Sequence, residues 1–321
     1  MTSLVITGSH LTPAEALIEQ LPKSWRVHKL GSVGGPKFKR YDWWGSLWGL
    51  VKLPGLICQA KSTLQLIKAK VVISFGGYSS VPVCLAAKIL KIPLLIHEQT
   101  FAAGLASKIT GRVADIIAIS WKSSRGYFPR QKTVLTGNPL RREILKVKRR
   151  PQPVVYITGG HQGSRVINQT VAQILPQLLQ QFTVYHQYGK LPRPAAREHY
   201  VTKAYFSVGE LAQIYSQAAL VIGRAGINTV TELAYLGIPA VLIPLPYTQR
   251  QEQDVNARYL KKLGLAVVLP QEQLMPAVLL EAIGKACNLP RIQQGAGFPR
   301  ARVKAAAEKL CQLVVKLSRE V

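Results

Sequence analysis

The chain has 321 residues, 48% of them hydrophobic, and carries 42 Lys and Arg against 15 Asp and Glu, a formal net charge of +27. That length accommodates two domains of about 150 residues, each with its own core, and the apolar fraction excludes a disordered chain. The charge asks for an anionic partner, for which nucleic acid, an anionic membrane surface and phosphorylated ligands all qualify.

Cys58, Cys84, Cys287 and Cys311 are scattered without a C-x-x-C pair, which argues against a zinc ribbon or a redox motif and for reduced thiols in a cytoplasm. The start, MTSLVITGSH, has neither a basic segment nor a long apolar one, and no run of about 18 residues stays apolar without a charge. The expectation is a chain that is not secreted and does not span a membrane.

In chain order, Leu4 to Thr7 reads as a strand, followed by Gly8, Ser9 and His10 and then by Thr12-Pro13-Ala14-Glu15. The last four form a helix start: threonine as N-cap, proline at the first helical position, glutamate closing the capping box. His10 falls in the loop at the carboxyl end of a strand, where open α/β sheets bind ligands. A solvated loop histidine is the plainer reading of the same residue. From Lys37 to Lys70 the character changes, with Trp43, Trp44, Leu47, Trp48 and Val51 at helical spacing among many lysines and Asp42 as the one acid. A core helix with a solvated basic face is one reading. A helix lying in a membrane interface, indoles at headgroup depth and lysines on anionic lipid, is the other, and the three tryptophans tip the balance towards it.

Val71 to Phe75 is the next strand, ending in Gly76-Gly77-Tyr78, with a helix over Ser80 to Leu90. Ile92 to Ile96 runs into His97-Glu98-Gln99; Asp115 to Ile119 and Thr133 to Thr136 complete the half. A sheet whose carboxyl edge carries so many glycines and polar groups is a binding edge. A charged, proline-flanked stretch then marks a linker. The pattern restarts with a strand at Val154 to Thr158, the turn Gly159-Gly160-His161-Gln162-Gly163 and a helix from about Ser164. The turn suits close approach to a phosphate, although neither G-x-G-x-x-G nor the P-loop pattern is present. Further strands are Phe182 to His186, Ala219 to Ile222, Ala240 to Ile243 and Ala266 to Leu269.

The stretch VIGRAGINTVTELAYLGIPAVLIPLP, Val221 to Pro246, reads as a ligand-binding βαβ unit. Thr229 and Glu232 fit a capping box at its helix start. Alternatively the N–H groups of Gly226 to Asn228 face an anion and Glu232 accepts ribose hydroxyls. Arg250 to Leu263 is a helix with Gln251, Glu252, Gln253, Asp254 and Asn256 near its start, and Pro299 to Arg319 is a basic amphipathic helix. The expected organisation is an N-terminal domain over 1–142, a linker over 143–153, a C-terminal domain over 154–298, and a helix over 299–321 that packs back on the first domain.

Eight motifs in order, ITGSHLTPA, FGGYSSVP, IPLLIHEQ, TGNPLRREI, ITGGHQGSRVINQT, HQYGK, GRAGINTVTELAYLGIPAVLIPLP and EQDVNARYL, resemble the MurG family nearly end to end. These glycosyltransferases move N-acetylglucosamine from UDP onto undecaprenyl-pyrophosphoryl-N-acetylmuramoyl-pentapeptide. The resemblance implies an α/β fold of the GT-B type, two Rossmann-like domains with parallel sheets facing a central cleft, acceptor on the first and UDP-sugar on the second. It implies a donor set of Arg141, Gly160, His161, Gln162, Gly163, Ser207 beside Phe206, Arg224, Gly226, Ile227, Asn228, Thr229, Glu232 and Gln253. On the acceptor side it implies Thr7, Gly8, Ser9, Gly76, Gly77, Tyr78, His97 and Thr100, with His10 as general base and Glu98 as a second carboxylate. No metal and no cofactor beyond the UDP-sugar substrate is implied. The partners are that sugar nucleotide, a polyprenyl-pyrophosphate-linked acceptor and an anionic membrane, at the cytoplasmic face of the cell membrane, and not nucleic acid.

Ile6, Ser9, Val81 and Thr100 on the acceptor side, and His161 and Glu252 on the donor side, depart from the family pattern. Side chains in place of glycine in the first loop are expected to restrict backbone approach to a pyrophosphate. A related transferase with another lipid or glycan acceptor is therefore the near alternative, with an inactive membrane scaffold or a basic nucleic-acid-binding protein further off.

Overall fold

A computed structural model describes residues 2–8, 12–30, 43–248, 251–289 and 297–319, the side chains of 43–51 excepted. The chain divides into two compact units, Met1–Arg141 with Ala301–Val321, and Arg142–Arg300.

The first unit runs β1 (Ser3–Thr7), α1 (Thr12–Ile18), β2 (Arg26–Leu30), α2 (Trp43–Leu66), β3 (Val71–Ser74), α3 (Val81–Ile89), β4 (Leu94–Glu98), α4 (Leu105–Val113), β5 (Ile116–Ile119) and β6 (Thr133–Leu135). Its strands form one parallel sheet in the order β2-β1-β3-β4-β5-β6. The central strands are apolar and buried on both faces, as a parallel sheet covered by helices requires.

The second unit runs α5 (Arg142–Leu145), β7 (Val154–Thr158), α6 (Arg165–Leu179), β8 (Thr183–Gln187), β9 (Tyr200–Lys203), α7 (Val208–Gln217), β10 (Ala218–Gly223), α8 (Ile227–Leu236), β11 (Ala240–Leu242), α9 (Glu252–Lys262), β12 (Ala266–Val268) and α10 (Pro276–Cys287). Its parallel sheet has the order β12-β11-β10-β7-β8-β9, the dinucleotide-binding arrangement with the first strand central. α6 shows why the helices form: Ser164 caps its start, and Ile167, Val171, Ile174, Leu175 and Leu178 make a buried stripe at helical spacing.

The last helix, α11 (Arg300–Arg319), contributes Leu310, Cys311, Val314 and Leu317 to the core of the first unit beside Leu4, Ile6 and Ile73. The residues expected as a linker are tied down: the Arg150 and Gln152 N–H groups donate to the carbonyls of Ser216 and Gln217 at 2.7 and 2.8 Å. β2 and β9 lie at sheet edges and escape the sequence pattern, β2 because charged residues break its apolar run.

In each sheet the strand order reverses beside the first strand. The loops after β1 and β3, and those after β7 and β10, therefore open at topological switch points, where α/β sheets bind ligands.

Candidate active site

At the switch point of the second unit the strands come unusually close: a Cβ on Gly223 would lie 2.5 Å from the Thr158 carbonyl oxygen. α8 starts three residues earlier than the capping-box reading places it, at Ile227, with Gly226 as N-cap and no side-chain cap among the described residues. Thr229 is already in the first turn, and Glu232 lies beyond it, too far along to reach the N-cap N–H. The capping box is thus overturned, and the first turn of α8 has no side-chain N-cap among the described residues. Glu232 is only 3% exposed, and its Oε2 accepts the Tyr215 hydroxyl at 3.1 Å. Tyr215 is itself buried, edge-on to Tyr156 at 5.8 Å. Sequence spacing missed Tyr215, which lies on another helix.

Gly160 takes φ +78°, and no described atom lies within 4 Å of a Cβ built on it; Gly226 is equally open. Those two glycines leave room above the backbone, whereas Gly163 is packed against Tyr188. His161 is exposed and stacks on Tyr205, ring centroids 4.8 Å apart, while its carbonyl accepts the Tyr205 hydroxyl at 2.9 Å. The Gln162 carbonyl accepts the Lys190 N–H.

Ser207 caps α7 in a reciprocal box with Glu210. The neighbouring Phe206 N–H donates to Gln187 Oε1 at 3.2 Å, and Gln187 Nε2 in turn reaches Thr158 Oγ1 at 3.4 Å. Gln187 thereby connects the Phe206 stretch to the glycine turn, a link with no sequence signal. The Gln253 carboxamide oxygen accepts the Leu245 N–H at 3.0 Å.

Arg224 departs from its expected place in the donor set. Its guanidinium donates to the carbonyls of Ile243 and Pro244, to Ser164 Oγ at 2.8 Å and to Gln271 Oε1 at 2.6 Å. These four protein acceptors take the terminal N–H groups, so Arg224 fixes the ends of β10 and β11 against α6. Burial makes it hold its proton less tightly than an ordinary arginine. Asn256, fully buried, donates from Nδ2 to the Ala225 carbonyl at 2.9 Å and anchors α9 beneath the same turn.

In the first unit, Gly8 has φ +128° and a Cβ there would lie 2.7 Å from the Gly76 carbonyl oxygen, so the loops after β1 and β3 meet backbone to backbone. Gly76 and Gly77 also take positive φ, and Tyr78 opens a short turn of 3-10 helix. Thr7 is 1% exposed, with an Oγ1 that finds no partner among the described residues. Ser9 and His10 lie outside the described residues.

His97, expected at the acceptor, is instead a core residue at 2% exposure. Its Nε2 lies 3.2 Å from the Gly137 carbonyl oxygen, an acceptor only, so that nitrogen carries the proton and donates. Burial holds its pKa down at about 4 despite the pull of that carbonyl. Glu98 is 5% exposed and accepts the Thr100 N–H at 2.9 Å and its hydroxyl at 2.6 Å. Thr100 therefore orients a carboxylate.

Arg141 pairs with Glu15 at 3.9 Å. The departures at Ile6 and Val81 lie in buried positions, Ile6 within the β1 core and Val81 at the first residue of α3, so neither narrows the backbone around the loop as expected. Trp43, Trp44, Leu47, Trp48 and Val51 fall within α2, but their side chains lie outside the described residues. Among the described residues no helix is long and apolar enough to cross a membrane.

Two parallel sheets with glycine-lined switch points make the GT-B fold. Residues 154–309 match the Glycosyltransferase family 28 C-terminal domain and residues 24–119 the family 28 N-terminal domain. Solved structures with the same fold include MurG of Acinetobacter baumannii, TM-score 0.73 at 24% identity over 98% of this chain and 100% of that one. Another is CalG4, the calicheamicin glycosyltransferase, TM-score 0.70 at 13% identity over 100% and 99%. UDP-N-acetylglucosamine--N-acetylmuramyl-(pentapeptide) pyrophosphoryl-undecaprenol N-acetylglucosamine transferases are similar in sequence. That of Thermodesulfovibrio yellowstonii is 32% identical, covering 90% of this chain and 89% of the relative. That of Lachnospira eligens is 33% identical over 89% and 91%. The chain belongs to this family, the MurG glycosyltransferases.

Proposed function

We propose that the chain transfers N-acetylglucosamine from UDP-N-acetylglucosamine to undecaprenyl-pyrophosphoryl-N-acetylmuramoyl-pentapeptide, with inversion at the anomeric carbon. The observation that carries the reading is the second switch point: a helix N-terminus without a side-chain cap, with an oriented buried carboxylate just behind it. The α8 N–H groups take the diphosphate by charge and geometry, Glu232 takes the ribose hydroxyls, and the Phe206–Ser207 backbone takes the uracil. Gly160 and Gly226 leave space for the diphosphate, and Gln253 turns from Leu245 to the sugar hydroxyls.

On the acceptor side His10 accepts the proton of the attacking hydroxyl as its oxygen bonds to the anomeric carbon and the bond to the UDP oxygen breaks. Charge on the departing UDP is offset by the α8 N-terminus and Arg141. Thr7, Gly8, Ser9 and the Gly76–Tyr78 turn receive the lipid diphosphate, with Glu98 held beside them by Thr100. The enzyme works peripherally on the cytoplasmic face of the membrane, drawn to anionic lipid by its charge of +27 and the tryptophan-rich start of α2.

The test is turnover of labelled UDP-N-acetylglucosamine by the purified chain with the lipid acceptor in liposomes. A labelled lipid-linked disaccharide is expected, together with weakened UDP binding in Glu232→Ala. Absence of product combined with unchanged UDP affinity in that variant overturns the reading.

A further inference from the structure

Beneath the glycine turn after β7 lies a buried polar chain that the proposed chemistry leaves unused. Tyr200 Oη lies 2.6 Å from His186 Nδ1, His186 Nε2 lies 3.1 Å from Asn168 Oδ1, and Asn168 Nδ2 reaches the Tyr188 carbonyl at 3.5 Å. The direction of the chain is fixed at its far end. A peptide carbonyl only accepts, so Asn168 must turn its NH2 to Tyr188 and its oxygen to the ring. His186 therefore carries its proton on Nε2 and donates it to Asn168, and the bare Nδ1 accepts the Tyr200 hydroxyl. His186 is 0% exposed and its bond to Tyr200 is buried, whereas the links through Asn168 are half-buried, so an unmade bond is costliest at the ring.

The chain ends at a contact that leaves no slack. A Cβ on Gly163 would lie 2.2 Å from that same Tyr188 oxygen, and a Cβ on Gly189 would lie 2.3 Å from the Gly163 nitrogen. The Lys190 N–H donates to the Gln162 carbonyl, and the Gly189 N–H to that of Ala204. The turn 160–163 thus rests on residues 188–190 backbone to backbone, and its height above the sheet follows wherever the Tyr188 peptide is placed.

We infer that Tyr200, His186 and Asn168 are positioning residues for the sugar-nucleotide donor: a one-directional relay that sets the Tyr188 peptide and through it the glycine turn. The inference rests on the reading that this turn faces the donor. Burial also keeps the His186 pKa down at about 4, so the ring stays neutral and the relay keeps its direction throughout the neutral range.

The test is steady-state kinetics with UDP binding by calorimetry, on variants whose fold is checked by far-UV circular dichroism. Asn168→Asp keeps the acceptor for His186 but loses the donor to Tyr188. It should raise the KM for UDP-N-acetylglucosamine about tenfold, the loss of one half-buried hydrogen bond, with the acceptor KM unchanged. Tyr200→Phe, the mildest change, should give about threefold. His186→Gln retains a terminal N–H donor and should recover most of the donor affinity lost in His186→Ala. Gly160→Ala serves as the reference for the underlying reading. If it leaves UDP affinity intact, the turn does not face the donor and the reading itself fails, whatever the relay variants do. If Gly160→Ala weakens UDP while folded Asn168→Asp and Tyr200→Phe do not, only the relay is overturned. Parallel rises in both KM values, or no recovery by His186→Gln, also overturn it.

Discussion

The two switch points are built on sheets that differ by one strand in order, β2-β1-β3 in the first unit against β9-β8-β7-β10 in the second, and they handle polar groups in different ways. In the second, arginine, asparagine and tyrosine side chains are spent on the protein itself, and the first turn of α8 keeps its N-terminus clear of side-chain caps. In the first, His97, Glu98 and Gln99 are buried side by side, and the loop edge is left to glycines and to the Thr7 hydroxyl, which has no partner among the described residues. Topology supplies the place in both. The sign of the field offered there is decided by which side chains the core has already claimed.

The largest effects are expected at two glycines where backbones meet, Gly8 between the loops after β1 and β3 and Gly223 between the ends of β10 and β7. Alanine at Gly8 meets a carbonyl oxygen at 2.7 Å and must also hold φ +128°; alanine at Gly223 meets one at 2.5 Å without that backbone strain. Gly8→Ala should destabilise its unit by about 4 kcal/mol and Gly223→Ala by about 3 kcal/mol. The units can be followed apart, because all five tryptophans, at 25, 43, 44, 48 and 121, lie in the first. Urea unfolding monitored by tryptophan fluorescence reads Gly8→Ala, and far-UV circular dichroism adds Gly223→Ala. Equal costs would show that backbone strain adds nothing at Gly8.

Next in size is a pH effect with one histidine on each side. Burial lowers both His97 and His186 to about 4 from an ordinary value of 6.5. Between those values the unfolded chain binds the extra protons, so stability rises with pH there: it is full above about 6.5 and drains away as pH falls towards 4. Each histidine accounts for roughly 3 kcal/mol at most. His97→Gln should flatten the acid slope of the tryptophan-detected transition and leave the other alone, and His186→Gln should do the reverse. A His186→Gln effect on the tryptophan signal would contradict this assignment.

The fold was legible because its strands are short, apolar and closed by glycine or polar residues, so Val154–Thr158 and Val71–Ser74 stand out at once. Helix starts were less so. Thr229 and Glu232 have the spacing of a capping box, but Gly226 in an extended conformation serves as N-cap without any side chain, and spacing alone does not reveal which residue takes that role. His97 follows a strand just as a ligand-binding residue does, and only the packing of the turn at Gly137 shows that the ring is enclosed. Tyr215, Gln187 and Asn168 acquire their meaning from partners 17, 29 and 18 residues away, distances over which sequence carries no signal.

Glu232→Ala should then separate the two sides by function. It removes the carboxylate behind α8 and with it the buried hydrogen bond from the Tyr215 hydroxyl. UDP affinity should fall about thirtyfold, near 2 kcal/mol, and the unit should lose about 1 to 2 kcal/mol of stability, on the order of one buried hydrogen bond. Glu98→Ala, across the comparison, should leave UDP affinity unchanged while turnover falls. Loss of UDP binding in Glu98→Ala would remove the division of labour between the units.

The smallest effects come from a matched pair that takes one hydroxyl from each buried carboxylate. Thr100→Val removes the 2.6 Å bond to Glu98 but leaves the backbone N–H at 2.9 Å, so the carboxylate keeps one donor. Tyr215→Phe removes the 3.1 Å bond to Glu232 Oε2. Each should cost about 1 kcal/mol of stability, the net worth of one hydrogen bond. Their functional traces should differ. Tyr215→Phe takes away one bond that orients Glu232 and should weaken UDP binding about threefold, whereas Thr100→Val should move only the acceptor KM. Calorimetry with UDP on both variants distinguishes them, and equal shifts in UDP affinity would mean that the two carboxylates report on a single shared site.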